Sequence, residues 1–535
     1  MNKLLSIIIL VLFSHSLFAG GLVTNTNQSA SWVRMPSQNA STSISAVYFN
    51  PAGVMKLDNG FHISLSNQFI SQNRKVENFY SGPDSLSGLN NSMFEGSVFA
   101  PLFPSVYAVY KRDKFAVSFG INPVGGGGSA KYAKGLPSIE MKPSDLVYSL
   151  NPLGAATGVT DYRLNSSFEG SSVFMGYQGG ISFDVSDNVS LYAGVRYITA
   201  KNTYNGYLKD IELYNFGNSG AWTRADAIMT GIAANATTGA TNLQAAINGG
   251  LLVGTDPLTD PTAIAGLQQL GINPTGYTNN NAVAAYTAAA KKFNNNAVLL
   301  ADQEADVEET GNGITPVFGI NIAASDKLNI AFKLEGQTFI ELTRNTTKDV
   351  QTGFLSPGDT IPDTMFPNGR KYNSDMPAML TMGIDYQALS KLKLSVSGNL
   401  YFDTTEKLSY GKKVRGEYVR NYTVIDENSW EVAGGLEFDV TEKLLVSGGL
   451  LISNNSVNSL YQSDMAYSLD SKTICLGAAF NVSEKMQVNL GAGYTIYDEG
   501  FKYIRYEFSP TKVLYPKETY YKDNLFVGIG IDISL

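Results

Sequence analysis

The last dozen residues limit the fold most. Leu525, Val527, Ile529, Ile531, Ile533 and Leu535 fall on one face, and Asn524, Phe526, Gly528, Gly530, Asp532 and Ser534 fall on the other. Successive side chains point to opposite faces only in an extended strand. One apolar face opposed by one small or polar face suits a wall with lipid outside and a lumen inside. A sandwich strand also alternates, but with a wetter outer face and a larger inner one. The same alternation recurs at Val189–Tyr197, Leu328–Glu335 and Val432–Val440.

The links between these strands repeat as well. Phe183–Leu191, Phe438–Val446 and Phe480–Val488 share one pattern of apolar residue, short charged turn and apolar residue. Ala323–Leu328, Ala388–Leu392 and Tyr110–Phe115 are tight variants. Short charged links between alternating runs read as hairpin turns. The connections at the opposite strand ends are long and uneven, the pattern of an outer-membrane barrel. Six such turns, with both chain ends on their side, imply fourteen strands. The expected spans are 61–75, 96–111, 114–123, 162–185, 189–206, 307–323, 328–344, 371–386, 391–406, 428–440, 444–453, 464–482, 486–497 and 519–535. The fold class is therefore all-β, a 14-stranded antiparallel transmembrane barrel occupying residues 59–535.

Residues 1–19 read as a secretory signal peptide: Lys3, an apolar run from Leu4 to Phe13, and Ala19 before Gly20-Gly21. The run is too short for a membrane-spanning helix, which needs roughly 20 apolar residues. Residues 20–58 are polar, lack strand alternation and precede the first wall strand, which suggests a plug inside the barrel. Composition excludes several classes. The single cysteine, Cys475, rules out an intramolecular disulfide framework, and only His62 remains after the leader, so imidazole-dependent catalysis and metal binding have little to draw on. The net charge of −8 argues against nucleic acid. No paired carboxylates, activated nucleophile or phosphate loop emerges, and the chain reads as non-enzymatic and cofactor-free.

Residues 207–306 form an exceptional connection, rich in Ala and Asn. Val283, Tyr286, Ala290, Phe293, Ala297 and Leu300 recur at helical spacing, and Asp260 before Pro261 reads as an N-cap. Connections this long are functional or disordered. Small helices folded over the barrel mouth are expected; a variable surface loop is the alternative.

Three features together resemble the FadL-type outer-membrane transporters of long-chain fatty acids and hydrophobic compounds. They are the polar stretch Gly20–Ala30, the tripeptide Asn50-Pro51-Ala52 just before the first strand, and fourteen strands running to the C-terminus. The resemblance implies a barrel plugged by its N-terminal hatch, passive movement of a hydrophobic ligand from long extracellular loops to a lumenal site, and sideways release through a kinked third strand. It also implies a monomer in outer-membrane lipid and lipopolysaccharide, inserted by the barrel assembly machinery, with short turns and termini periplasmic. Barrels of this type can also serve as docking or shuttle components for secreted proteins. The C-terminal Leu535 departs from the aromatic residue that ends many such barrels.

These readings name the expected sites. Asn50, Pro51 and Ala52 form the hatch hinge, since Pro presets φ and Asn tolerates tight geometry. Gly120, Pro123, Gly125 and Gly126 mark the lateral opening, because Pro cannot donate to a ladder and Gly marks a bend. The same residues also fit a strand ending at Pro123 before a flexible loop. Arg196, Lys333 and His62 should face the lumen as candidate ligand contacts; pairing of the two cations with Glu335 and Glu437 is the competing expectation.

Overall fold

The computed structural model describes residues 24–82, 88–150, 158–352, 364–406, 410–414, 417–421, 425–459, 461–509 and 512–535. The leader span 1–19 and residues 20–23 lie outside this set.

Fourteen antiparallel staves close into one ring, as the alternation predicts. The first is β1 (Gly60–Asn78). The second is broken into β2 (Met93–Ala100) and β3 (Pro104–Arg112). Then come β4 (Phe115–Tyr132), β5 (Asp161–Ser186) and β6 (Val189–Tyr214). The rest are Gln303–Ser325; Leu328–Glu335 with Glu341–Lys348; Lys371–Asn373 with Met379–Leu389; Leu392–Tyr401; Trp430–Asp439; Leu444–Asn454; Ser471–Ser483; Met486–Tyr497; and Lys517–Ser534. β1 closes the ring. It pairs with the last strand from His62↔Ser534 to Asn78↔Glu518, and on its other edge with β3 and β2.

The six short turns join the predicted neighbours. Outward side chains form a continuous apolar belt just beyond them, with Leu525, Val527 and Ile529 each about half exposed. Such exposure is out of place against water and expected against lipid. β5 and β6 have 26 residues each, well beyond the roughly 9–11 that span a bilayer, so both rise past the belt.

Five spans differ from the sequence reading. Residues 96–111, 328–344 and 371–386 are interrupted, at 101–103, 336–340 and 374–378, the strand expected over 391–406 ends at Tyr401, and residues 464–470 are not strand. The segment 461–469 instead folds inward: Tyr461, Met465, Ala466, Tyr467 and Leu469 are all buried. Its alternating apolar residues serve a lumenal core with Tyr132, Phe168 and Tyr520 rather than a ladder.

The long connection is helical, as its spacing predicts, with helices α4 (Ala225–Asn248), α5 (Pro261–Gln269) and α6 (Asn279–Leu300). α6 packs on α4 and α5, and α4 meets the ring at β6 and the short strand Trp222–Arg224. The predicted apolar stripe is real, but Tyr286, Ala290, Phe293 and Ala297 spend it on the partner helix. Asp260 caps α5 as predicted, accepting from the Thr262 amide at 2.9 Å. A fourth helix, α3 (Pro137–Leu150), supports the base of this hairpin through Leu146, Val147 and Leu150.

Candidate functional site

Residues 24–57 lie inside the ring. Two short helices, α1 (Ser29–Arg34) and α2 (Ala46–Phe49), and a 3-10 turn at Pro51–Lys56 are almost wholly buried. Trp32, Val33, Val47, Tyr48, Phe49 and Val54 share a core with inward residues of the wall such as Tyr107, Phe174 and Phe526. Each such burial contributes about 1.5–3 kcal/mol. The inward glycines explain how a backbone fits there. A Cβ at Gly383 would lie 2.3 Å from the Ala40 amide nitrogen, and one at Gly491 would lie 2.6 Å from that of Arg34.

Polar contacts fix this segment to opposite sides of the wall. Asn50 donates through Nδ2 to the Ser41 carbonyl at 3.0 Å and to Asn321 Oδ1 at 2.8 Å. The Pro51 carbonyl accepts from Ser182 Oγ at 2.7 Å, and Ala52 is fully buried against Tyr192 and Val317. The tripeptide thus joins α2 to the 3-10 turn while touching β5, β6 and strand 303–325. Arg34 meets Glu437 at 2.6 Å and Ser447 Oγ at 3.0 Å, and Lys393 takes the other Glu437 oxygen.

Arg196 and Lys333 belong to the same seating. Both pair with Glu335, at 2.5 and 2.7 Å. Lys333 donates to the Tyr48 carbonyl at 2.8 Å, and the two cations stand 5.1 and 4.5 Å from the Tyr48 ring. His62 is buried, with Nδ1 2.8 Å from Ser534 Oγ and Nε2 2.9 Å from the Asp58 carbonyl. None of these three lines the large cavity described below. Cys475 is buried beside Phe526 and Gly493.

The wall is interrupted between the second and third staves. β3 pairs with β4 from Arg112↔Phe115 to Val106↔Ile121, and β2 resumes pairing only at Val98↔Ala130. Among the described residues no rung joins 99–105 to 122–129. Carried two rungs further, the register would set Pro104 opposite Pro123, and neither has an N–H to give. β4 also bulges against β5 between Pro123 and Gly125 and again before Gly128. Gly126 has φ +101°, and a Cβ there would meet the Ser172 carbonyl oxygen at 2.2 Å. Only glycine accepts that backbone. Gly120, just before the break, still pairs with Tyr107.

The N-terminal segment, not the neighbouring stave, satisfies the freed carbonyls. The Asn25 amide donates to Val124 O at 2.8 Å, Asn25 Nδ2 to Gly126 O at 2.9 Å, and Gln28 Nε2 to Pro123 O at 2.7 Å. Thr24 forms a bridge with Gly125. At the outer lip of the interruption Phe99 and Leu102 are 69% and 76% exposed.

A cavity of about 270 Å³ lies behind this interruption. Thr24–Asn27 and Trp32 floor it, Val98, Ala100, Phe103 and Gly126–Gly128 edge the break, and Met465–Leu469 cover it from the mouth. Its walls mix apolar side chains with Tyr132, Tyr467, Tyr497, Arg74 and Lys522. Sequence reading missed Arg74 and Lys522, although strand parity places both inward.

In fold the chain is similar to a FadL homologue from Pseudomonas aeruginosa, at 14% identity, TM-score 0.60, covering 97% of this chain and 100% of that one. It is also similar to the toluene transporter TodX from Pseudomonas putida, at 10% identity and TM-score 0.50, covering 97% and 100%. A TodX deltaS2S3 mutant, a monoaromatic hydrocarbon channel, matches at 10% identity and TM-score 0.51, covering 96% and 100%. No protein-family model matches the chain, and no curated protein matches it. The barrel has the FadL-type fold.

Proposed function

We propose that this FadL-type barrel carries out passive uptake of hydrophobic, long-chain fatty-acid-like compounds across a bacterial outer membrane. The observation that carries the reading is the cavity lying directly behind a break in the wall at Pro123–Gly128. A long alkyl chain gains about 0.8 kcal/mol per buried CH₂ in such a cavity. Gly126, Phe99 and Leu102 give it an apolar edge toward the lipid belt. In this account residues 20–58 are the hatch, Asn50-Pro51-Ala52 is its hinge, and ligand leaves sideways through the third stave. Arg196, Lys333 and His62 hold the hatch and its surroundings rather than the ligand. The barrel works as a monomer, with its short turns periplasmic, after insertion by the assembly machinery.

The test is uptake of labelled oleate by cells lacking another hydrophobic-compound barrel. Cells making this chain should accumulate oleate faster than cells without it, and Asn50→Ala with Pro51→Ala should slow uptake at matched barrel levels. Equal uptake with and without the chain refutes the reading.

One observation favours an additional docking role. α4 and α6 have 24 and 22 residues, about 33–36 Å at helical rise, and among the described residues α4 packs on the ring at β6 and the short strand Trp222–Arg224. A hairpin of this kind presents a partner surface well clear of the barrel. Leu251, 83% exposed, lies at its far end.

A further inference from the structure

The mouth side of the cavity is closed by a segment built differently from everything around it. Residues 461–469 lie between strands 444–454 and 471–483, and none of them joins a ladder. Tyr461 to Tyr467 and Leu469 are nevertheless buried. Met465, Tyr467 and Leu469 pack with Tyr132, Phe168 and Tyr520, and the Tyr467 and Tyr520 rings stack with centres 4.9 Å apart.

The segment satisfies much of its own polar surface. Gln462 Nε2 donates to the Ser468 carbonyl at 2.7 Å, and Gln462 Oε1 accepts from the Ser468 amide at 3.1 Å. Inside that closure the Ser463 amide donates to the Ala466 carbonyl at 2.9 Å, and Ser463 Oγ accepts from the Ala466 amide at 3.1 Å. A neck follows. The Asp470 carboxylate accepts from the Asn455 amide at 2.7 Å and from Asn454 Nδ2 at 3.2 Å, while Asn455 Nδ2 donates to the Leu469 carbonyl at 3.0 Å. A compact loop with close ends and internal packing is a unit of its own. It can move as a body without breaking a sheet.

Single polar contacts clasp this unit to its neighbours. Asp464 Oδ2 accepts from the Ser138 amide at 2.8 Å, in the first turn of α3, where a negative charge is favoured. Lys502 Nζ donates to the Gln462 carbonyl at 2.5 Å, and Tyr467 Oη donates to the Tyr521 carbonyl at 2.9 Å. Segments that open for function come from the parts of a fold with the fewest shared backbone bonds.

We infer that residues 461–469 are an entry gate, swinging outward about the neck at Asn454–Asn455 and Asp470, with the clasps at Ser138 and Lys502 governing how often they do so. The inference rests on the uptake reading and adds regulation to the same cavity. Met465–Leu469 stand between the mouth and the cavity when the loop is seated, so a cover that never moved would close that way in. Entry past the gate and exit at Pro123–Gly128 are then separate openings.

The experiment fixes the loop where it already sits. Asp464 reaches the Ser138 backbone, so Ser138→Cys/Asp464→Cys, in a Cys475→Ser chain, places a disulfide across that clasp. Labelled oleate uptake is measured on the same cells after oxidation and again after reduction. Uptake should fall at least tenfold in the fully cross-linked barrel and recover on reduction. Unchanged uptake overturns the gate and leaves the uptake reading intact; no uptake by the parent removes both. A second measurement does not depend on uptake. Met465→Cys, again with Cys475→Ser, is labelled from outside the cell with a membrane-impermeant maleimide. Adding Lys502→Met, which deletes the clasp on Gln462, should speed that labelling at least fivefold. Equal labelling rates with and without Lys502 overturn the clasped gate.

Discussion

Replacing Glu335 with Gln should be among the most damaging single changes in the barrel. Glu335 is the only anion in a buried set with Arg196 and Lys333, at 2.5 and 2.7 Å. The set carries a formal +1 in the parent and +2 in the variant, and all three side chains are buried. Removing one partner of a buried pair costs about 3–5 kcal/mol. The Coulomb attraction of unit charges 4 Å apart, about 4 kcal/mol at an effective dielectric of 20, agrees in size. Arg196 keeps Gln178 Oε1 at 2.6 Å and Lys333 keeps the Tyr48 carbonyl at 2.8 Å, so both side chains stay in place. Adding Lys333→Met returns the set to +1 and should recover roughly half of the loss, about 2 kcal/mol. Urea unfolding in detergent, followed by the gel shift between folded and unfolded barrel, measures both. A Glu335→Gln variant within about 0.5 kcal/mol of the parent would refute the reasoning, as would a double variant less stable than the single.

Three further outcomes follow from the packing. Gly383→Ala drives a Cβ into the backbone at Asn39–Ala40, so residues 24–57 should become cleavable by protease in the otherwise intact barrel, at a cost of about 1–3 kcal/mol. Replacing residues 226–301 by a short Gly/Ser link should leave a folded, heat-modifiable barrel that still takes up oleate, because α4 and α6 bury their apolar faces on each other; loss of the folded band contradicts this. Glu406, in the loop after strand 392–401, is buried with both carboxylate oxygens unpartnered, and burial, then Asp403 and Asp375, push its carboxyl well above the ordinary carboxylate range. A carboxyl raised in the folded state contributes stability below its unfolded pKa and loses it as pH rises through the folded value. Protection from hydrogen exchange at residues 402–406, corrected for the base-catalysed rise in intrinsic exchange, should therefore fall as pH rises above the ordinary carboxylate range, and Glu406→Gln should flatten that fall.

Much of this architecture was legible because a wall strand has one rule. Alternation with lipid on one side gave the stave count and the inward parity of Arg196, Lys333 and His62. Charged turns gave the hairpin neighbours. What stayed hidden depended on contacts between distant segments. Pro123 and Gly125–Gly128 could be read as a break or a loop, and only the missing rungs opposite Pro104, with Asn25 and Gln28 on the freed carbonyls, distinguish the two. Residues 464–470 alternate like a strand yet face a lumenal core, because alternation records burial on one side and not the presence of a ladder partner. The stripe on α6 was visible, but nothing in it identified α4 as its cover. Arg74 and Lys522 share the parity of His62 and Phe526, so the same rule places them inward.

The central claim is that the break between the second and third staves is the ligand's way out. Cysteines at Pro104 and Pro123 would face each other across the second missing rung, and the buried Cys475 is well placed not to interfere. Labelled oleate uptake is measured on the same cells before and after oxidation to a quantitative Pro104→Cys/Pro123→Cys disulfide, then after reduction. Uptake should fall at least tenfold on oxidation and return on reduction. Unchanged uptake through the fully cross-linked barrel would contradict the account.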